Sequence, residues 1–153
     1  PEELALEPVD LGGMVADVAD VVGPQASAAG VKLEVSTAAD LPRVSADSGL
    51  LRQALLNLAL NAVQAMPSGG VLRFEARRAA DRQIELAVSD TGVGISPEHL
   101  SRIFDLYFTT REGGSGIGLS MVYRTIQLHD GHIEVQSTPG RGTTFTMRLP
   151  QAA

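Results

Sequence analysis

The segment from Leu50 to Met66, LLRQALLNLALNAVQAM, limits the possible folds more than any other, because its only charged residue is Arg52. Apolar residues recur in it at helical spacing, with Leu51, Leu55 and Leu58 on one face and further leucines that widen that face. A helix this apolar must be covered on most of its sides. The segment therefore predicts a buried helix inside a layered domain.

Amide side chains form a second stripe along the same helix. Gln53, Asn57, Asn61 and Gln64 follow each other at intervals of three or four residues. A buried amide without a partner costs about 1–3 kcal/mol, so these side chains need a function or a neighbour. One hypothesis is a magnesium ion that is held by two amide oxygens one turn apart and shared with a phosphate. The alternative is hydrogen bonding to a neighbouring loop.

Composition narrows the class of protein. The chain has 153 residues, 44% of them apolar, which is typical of one domain with a real core, and it has no cysteine for a disulfide or a thiolate metal site. The net charge is −6 and no basic patch is evident, so nucleic acid is not an expected partner. No apolar run is as long as a membrane span, and the start is not a signal peptide. Because the chain does not begin with Met, we expect it to be part of a longer protein.

The order of periodic segments predicts the fold class. Helical and alternating patterns follow each other as helix, strand, helix, two strands, helix and two strands, which predicts a two-layer α/β sandwich with three main helices on one face of a mixed sheet of about five strands. The main helices are predicted in DLGGMVADVADVVGPQASAAG, in the apolar segment and in SMVYRTIQLHDG, and the strands in VKLEVST, VLRFEARR, RQIELAVSD, HIEVQST and TTFTMRLP.

Smaller features complete this prediction. Asp10 is the expected N-cap of the first helix and Gly30 its stop, and a short helix is expected to be capped at Ser96. AADLPRVSADS is predicted to be a loop. We assign residues 1–9 to a linker, 10–150 to the domain and 151–153 to a tail.

The stretch DTGVGI, Asp90 to Ile95, places an acid at the end of a strand and before a Gly-x-Gly turn. One interpretation is a strand-end turn with a solvated carboxylate. The other is a carboxylate aimed into a pocket, where glycines allow the backbone to approach a flat ligand. Such a carboxylate can accept a hydrogen bond from the exocyclic amine of adenine.

The stretch EGGSGIGLS, Glu112 to Ser120, has four glycines directly before a helix. Its backbone N–H groups are suited to hold an anion at the helix N-terminus, and the alternative is a flexible loop. It is not a Walker loop or the site of an ordinary protein kinase, because the only lysine of the chain is Lys32. Its glycine spacing and the missing strand before it also argue against a dinucleotide fingerprint.

These stretches together resemble the catalytic, ATP-binding domain of bacterial sensor histidine kinases, in the wider superfamily of gyrase, Hsp90, histidine kinase and MutL ATPases. LLRQALLNLALNAVQAM resembles the asparagine box of that family, DTGVGI its first glycine box, IFDLYFTTR its phenylalanine box, GGSGIGLS its second glycine box and GRGTTF its last. All occur in the order of the family, over about Pro8 to Pro150. FTTR followed by a very short lid resembles the nitrogen-regulator type, and the fold that the resemblance implies is the Bergerat ATP-binding fold.

The resemblance implies a role for each matching residue. Asn61 is implied as the Mg²⁺ ligand, with Asn57 supporting it or contacting phosphate, and Asn61 and Arg111 as the catalytic residues. Asp90 is implied to hold the adenine amine, with Thr143 or Thr144 bridging to it through water. The implied nucleotide-binding residues are Asn57, Asn61, Asp90, Gly92, Gly94, Ile95, Tyr107, Phe108, Thr109, Thr110, Arg111, Gly114, Ser115, Gly116, Ile117, Gly118, Leu119, Thr143 and Thr144.

Three departures from the pattern are evident. Arg111 stands where relatives often carry lysine, Gln64 where many have a basic residue, and Tyr107 where phenylalanine is common. None removes a group that the implied chemistry needs. Phe104, Tyr107 and Phe108 are expected to pack the lid or to belong to the core. Residues 109–115 are expected to form a lid that becomes ordered with nucleotide.

The implied function is to bind Mg-ATP and to pass its γ-phosphoryl group to a histidine on a dimerisation and phosphoacceptor domain. That domain is expected outside this sequence, since His99, His129 and His132 lie in no segment like HExxNP and are expected to be structural or solvated. The alternatives are a nucleotide-binding module without turnover and a clamp-type ATPase. The clamp needs an acid on the asparagine helix, and Leu50 to Met66 contain none.

The resemblance also implies the surroundings of the domain. The other partner is the receiver domain of a response regulator, reached indirectly. A cytoplasmic domain without membrane contact of its own is implied, whether or not the parent is membrane-anchored. The fragment is expected to be a monomer and the parent a homodimer.

Overall fold

The structure, a computed structural model, describes residues 3–105 and 118–153. Its helices and strands in chain order are β1 (Glu7–Val9), α1 (Leu11–Ala28), β2 (Val31–Thr37), β3 (Val44–Ala46), α2 (Ser48–Gln64), β4 (Gly70–Arg78), β5 (Gln83–Asp90), α3 (Pro97–Leu100), α4 (Gly118–Leu128), β6 (His132–Thr138) and β7 (Gly142–Pro150). No helix within these two ranges is long and apolar enough to span a membrane.

Five strands form one mixed sheet in the order β2-β4-β5-β7-β6. β2 runs parallel to β4, and every other neighbouring pair is antiparallel. A parallel pair needs a crossover connection, and β3 with α2 supplies it between β2 and β4. The predicted two-layer α/β sandwich with a mixed sheet of about five strands is confirmed.

The two faces of the sheet differ because side chains alternate along each strand. On β5, Leu86 and Val88 are buried among the helices, whereas Glu85 lies on the opposite face. There the Glu85 carboxylate accepts from Arg77 Nε at 2.7 Å and from Arg148 Nε at 3.2 Å. Burial would raise the pKa of Glu85, but these two guanidinium groups outweigh it and hold the pKa below its usual value. The outer face is therefore polar and internally paired at this point.

The helix ends agree with the expected capping residues, with one exception. Asp10 accepts from the Gly13 N–H at 3.1 Å, and Gly30, at φ +74°, follows the end of α1. Ser96 does lie at the N-cap position of α3, but its side chain makes no capping hydrogen bond. The prediction that Ser96 caps this helix is therefore correct for its position and wrong for its side chain.

The structure contains a second, two-stranded sheet that we did not expect. Glu7–Val9, assigned to the linker, pairs antiparallel with Val44–Ala46, which was predicted to be a loop. Val44 also pairs with Gln151, so part of the expected tail is hydrogen-bonded to the domain. Strands of three residues that pair across more than thirty intervening positions leave no periodic signal in the sequence. The origin of residues 1–9 as a linker from another domain stays a prediction.

The β4–β5 hairpin contains a strained turn. Its two central residues, Asp81 and Arg82, have φ values of 58° and 56°, and the Gln83 N–H donates to the Ala80 carbonyl at 3.3 Å. Two-residue hairpin turns with positive φ at both positions favour glycine at the second. Arg82→Gly is expected to raise the free energy of unfolding by about 0.5–1 kcal/mol, as measured by denaturant unfolding.

A control for that substitution is Arg141→Gly, at an exposed turn residue that does not have a positive φ. There glycine relieves no backbone strain and adds freedom to the unfolded chain, so it should lower stability. Equal effects of the two substitutions would show that the conformation of Arg82 is not strained.

Candidate functional site

Strand β5 carries Asp90 to the helix side of the sheet at its last position. Asp90 is 7% exposed and lies opposite Thr143 of β7. Its Oδ1 accepts from the Gly92 N–H at 2.9 Å. Burial raises the pKa of Asp90, and the backbone N–H groups of Gly92 and Thr143 oppose that shift without cancelling it. A buried carboxylate with so few donors is suited to accept a hydrogen bond from a ligand.

The loop after Asp90 lies directly against the end of α2. A Cβ atom added to Gly92 would be 2.2 Å from the Ala65 carbonyl oxygen, and the Val93 N–H donates to that same oxygen at 2.9 Å. Any side chain at position 92 would therefore push the loop away from α2. The close approach fixes Asp90 relative to the helix that carries the asparagines.

The same loop is also fastened to the β6–β7 hairpin. Gly94 has φ +74°, and a Cβ there would be 2.3 Å from the Thr138 carbonyl oxygen. The Ile95 N–H donates to Ser137 Oγ at 2.8 Å, and the Gly140 N–H donates to the Val93 carbonyl at 2.7 Å. Gly92, Gly94 and Ile95 thus lie where the sequence predicted them, in a turn that is held from two sides.

The structure distinguishes between the two threonines that the sequence left open. Thr143 is buried on the Asp90 side of the sheet, and its Oγ1 lies 2.8 Å from Ser137 Oγ. Thr144 points to the opposite face, where its Oγ1 donates to Ser89 Oγ at 3.1 Å. Register explains this, since Thr143 pairs with Asp90 and Thr144 with Ser89. Of the two threonines, Thr143 is therefore the one on the same face as Asp90, and a role for Thr144 at the site stays a prediction without support from this register.

Ser137 is a site residue that sequence reasoning missed. Its hydroxyl joins the Ile95 N–H, the Gly142 carbonyl and Thr143 Oγ1. The only signal was the alternation of HIEVQST, which could place Ser137 beside Thr143 only once the pairing of β6 with β7 was known.

The two asparagines of α2 lie one turn apart and are half-buried, while Gln53 and Gln64 are exposed. Asn57 Nδ2 donates to Met121 Sδ of α4 at 3.7 Å, and Asn57 Oδ1 accepts from Gln53 Nε2 at 3.4 Å. The stripe of amides is therefore divided into a half-buried pair, with Asn57 against α4, and two solvated ends. The half-buried pair supplies the oxygen donors that a magnesium ion prefers.

Helix α4 is described from Gly118 to Leu128, and Gly118 and Leu119 at that end are half-buried. The first N–H groups of a helix have no acceptor within it and attract anions. α4 packs along α2, so this end lies on the same side of the molecule as Asn57.

Part of the predicted site lies outside the described residues. These positions are Tyr107, Phe108, Thr109, Thr110, Arg111, Gly114, Ser115, Gly116 and Ile117, together with the expected lid. Phe104 is described, and its ring stacks on Tyr123 at 5.1 Å and lies edge-on to Phe145 at 6.2 Å between centroids. Phe104 therefore packs at the border of the core, and its expected packing against the lid stays a prediction.

Comparison with known proteins assigns the family. Residues 46–153 match the model of the histidine kinase-, DNA gyrase B- and HSP90-like ATPases. The chain belongs to this family. The matched range includes Asp90 and both asparagines of α2.

Similar proteins include the sensor histidine kinase ZraS of Escherichia coli K12, which is 38% identical over 150 residues, 98% of this chain and 32% of ZraS. The structure of full-length ShkA in complex with AMPPNP is similar with a TM-score of 0.91 and 34% identity, over 99% of this chain and 32% of ShkA. The mycobacterial sensor histidine kinase MprB gives a TM-score of 0.86 and 28% identity, over 96% of this chain and 98% of that structure. The chain thus spans about a third of ZraS.

Proposed function

We propose that this domain binds Mg-ATP and donates the γ-phosphoryl group to a histidine on a dimerisation and phosphoacceptor domain of its parent protein. The observation that carries the proposal is Asp90, a buried carboxylate with a raised pKa. It is held by Gly92 against the end of the helix that bears Asn57 and Asn61. The Asp90 carboxylate, proposed to accept from adenine, is thus connected to the helix of the two asparagines through its own loop and the hydrogen bond from Val93 to Ala65.

The described residues divide the work of binding. Asp90 accepts from the adenine amine, and Gly92 and Gly94 let its loop lie close against α2 and the β6–β7 hairpin. Thr143 with Ser137 forms the hydroxyl pair beside Asp90. The described start of α4, at Gly118 and Leu119, faces the phosphates. Arg111, which lies outside the described residues, is proposed to supply positive charge to the terminal phosphates. Asn61, supported by Asn57, would hold a magnesium ion, and the ion would supply positive charge to the phosphates.

The donor set of α2 favours transfer to a separate acceptor over hydrolysis. Between Leu50 and Met66 there is no Asp or Glu, and amides do not take a proton at neutral pH. Glu85 is buried, but on the other face of the sheet and between two arginines. Activation of the nucleophile therefore has to come from the acceptor domain, and the chain alone should turn ATP over very slowly.

A direct test is calorimetric titration of residues 1–153 with ATP, with and without magnesium, and with GTP as the matched ligand. We expect binding of ATP that strengthens with magnesium and much weaker binding of GTP, which has a carbonyl where adenine has its amine. Equal affinity for GTP would contradict the role of Asp90, and indifference to magnesium would contradict that of the α2 amides.

The raised pKa of Asp90 predicts how binding depends on pH. A folded pKa above the ordinary aspartate value of 3.8 means that the charged form costs stability at neutral pH and that this cost disappears as the pH falls through the folded pKa. Since the charged form is the better acceptor, ATP affinity should fall over that same range, at a pH above the one expected for a solvated aspartate.

Titration of the ATP phosphates contributes to any such profile, so the comparison needs a variant that lacks only the carboxylate. The ATP phosphates titrate in the same way with Asp90→Asn as with the parent chain. The ratio of the two affinities therefore reports only the contribution of the Asp90 carboxylate. Parallel pH profiles of the parent chain and Asp90→Asn would show that Asp90 does not set the dependence.

The broader assignments are also proposals. The parent is a homodimeric sensor kinase of a two-component system. The phosphoryl group on its histidine is passed on to the receiver domain of a response regulator. This domain works in the cytoplasm. These proposals are supported by the similarity to sensor histidine kinases over nearly the whole of this chain.

A further inference from the structure

A hydrogen bond between His129 and Asp47 joins the C-terminal end of α4 to the N-terminal end of α2. Neither residue belongs to the proposed nucleotide-binding residues. His129 follows the last residue of α4 and is 4% exposed. Its Nε2 accepts from the backbone N–H of Asp47 at 3.0 Å, and its Nδ1 lies 2.6 Å from the Thr125 carbonyl oxygen. Asp47 is the N-cap of α2, and its Oδ1 accepts a hydrogen bond from the Leu50 N–H at 3.2 Å.

The partners assign the protonation of the imidazole ring. The Asp47 N–H can only donate, so Nε2 must be the bare nitrogen, and the Thr125 carbonyl can only accept, so Nδ1 must carry the proton. In the imidazole tautomer with the proton on Nδ1, both ring nitrogens therefore make a hydrogen bond. Nδ1 completes a bond inside α4, and Nε2 makes the bond that crosses to α2.

A second connection ties α4 to α2 near the other end of α4. Asn57 Nδ2 donates to Met121 Sδ at 3.7 Å, in the first turns of α4. Between Met121 and His129 the helix rises by about 12 Å. α4 is therefore fixed to α2 at two separated points, and these points set its tilt.

Asp47 has one further connection. Its Oδ2 accepts from the Ala5 N–H at 3.1 Å, in the segment that leads into β1. The bonds from Ala5 and Leu50 hold the pKa of Asp47 below its usual value, so its carboxylate stays charged. The start of the described chain thus contacts the residue that both caps α2 and binds His129.

We propose that His129 is a positioning residue for nucleotide binding: its Nε2 bond to Asp47 holds the C-terminal end of α4 against the N-terminal end of α2. Through this contact it fixes the N–H groups at Gly118 and Leu119 relative to Asn57 and Asn61. The inference rests on the proposed binding of Mg-ATP and adds a residue that does not touch the nucleotide. Without the bond, the C-terminal end of α4 keeps its apolar packing through Ile126 but loses its hydrogen bond to the start of α2, so the helix tilts about the contact at Met121 and its anion-binding end moves.

Two substitutions separate the two bonds of the ring. His129→Gln places an amide oxygen near the position of Nε2 and keeps an acceptor for Asp47. His129→Asn places an amide N–H near the position of Nδ1, which keeps the bond to the Thr125 carbonyl and leaves the Asp47 N–H without an acceptor. Both replace the ring with a smaller amide, so both lose ring packing, and they differ in which bond survives. His132→Asn, at an exposed position of β6, is the control for His-to-Asn exchange.

The experiment measures the affinity of each full chain for Mg-ATP by calorimetry, well below the unfolding temperature found for that variant. We expect His129→Asn to bind about fivefold to tenfold more weakly than the parent. His129→Gln should restore most of that loss, and His132→Asn should bind like the parent. A merely structural role would weaken both His129 variants in step with their loss of thermal stability.

Equal affinities of the Asn and Gln variants, or parent-like affinity of the Asn variant, would overturn the positioning role. Absence of Mg-ATP binding by the parent chain would instead overturn the proposed function on which it rests, so the two failures are distinguishable. If His129→Asn does not fold, His129→Gln still tests the positioning role, because a fivefold loss of Mg-ATP affinity in that variant contradicts the proposal.

Discussion

Asp90→Asn is expected to weaken ATP binding by about 10- to 100-fold, which corresponds to the roughly 1.5–3 kcal/mol of a hydrogen bond to a charged group. The carboxylate can only accept, whereas an amide can turn an N–H toward the adenine amine. The fold should remain, because Asn can still accept from the Gly92 N–H through its one oxygen. Loss of the buried charge should leave stability equal or higher, since burial disfavours the charged form.

The matched control is Asp81→Asn, which makes the same exchange in the β4–β5 turn at the far end of β5 from Asp90. It should leave ATP affinity unchanged. Calorimetric titration of the parent and both variants measures the effect, with circular dichroism to verify the fold. If Asp90→Asn binds ATP as tightly as the parent, the carboxylate does not contact adenine.

Asn61→Ala is expected to abolish phosphoryl transfer and to remove the dependence of ATP affinity on magnesium. The substitution deletes an amide oxygen at a half-buried position of α2 and leaves the apolar face of the helix untouched. A magnesium ion with few protein ligands cannot lose one of them without being displaced relative to the phosphates. Because alanine favours helix, the fold should be retained.

Gln64→Ala is the control, since it removes an exposed amide from the last residue of the same helix. It should keep both the magnesium dependence and the transfer. The readouts are ATP affinity across a magnesium titration and labelling of the acceptor domain. Retention of transfer by Asn61→Ala at the rate of the parent would exclude Asn61 as a ligand in the reaction.

The elements that positioned the site were predictable because their signals are local. The apolar period of α2 is visible within a single segment, as is the alternation that ends at Asp90. The structure contains both elements, with α2 at Ser48–Gln64, shifted by two residues from the apolar segment, and β5 at Gln83–Asp90. The close backbone approach at Gly92 was also predictable, since an acid followed by Gly-x-Gly indicates such an approach. What the sequence did not reveal was the atom that glycine approaches, the carbonyl of Ala65.

The features that were missed depend on contacts between distant parts of the chain. Ser137 joins the site only through the register of β6 with β7, and the same register decides between Thr143 and Thr144. The bond from Asp47 to His129 spans 82 positions, and no local pattern distinguishes His129 from a solvated histidine. His129 was expected to be structural or solvated; it is buried, and its partner Asp47 could not be named from the sequence.

The central claim is tested most directly by mixing residues 1–153 with the separately prepared dimerisation and phosphoacceptor domain of the parent and with ATP labelled at the γ-phosphate. We expect no label on residues 1–153 alone, and acid-labile label on a histidine of the added domain when both are present. Steady ATP hydrolysis by residues 1–153 alone, with no label on the added domain, would contradict it and favour a clamp-type ATPase.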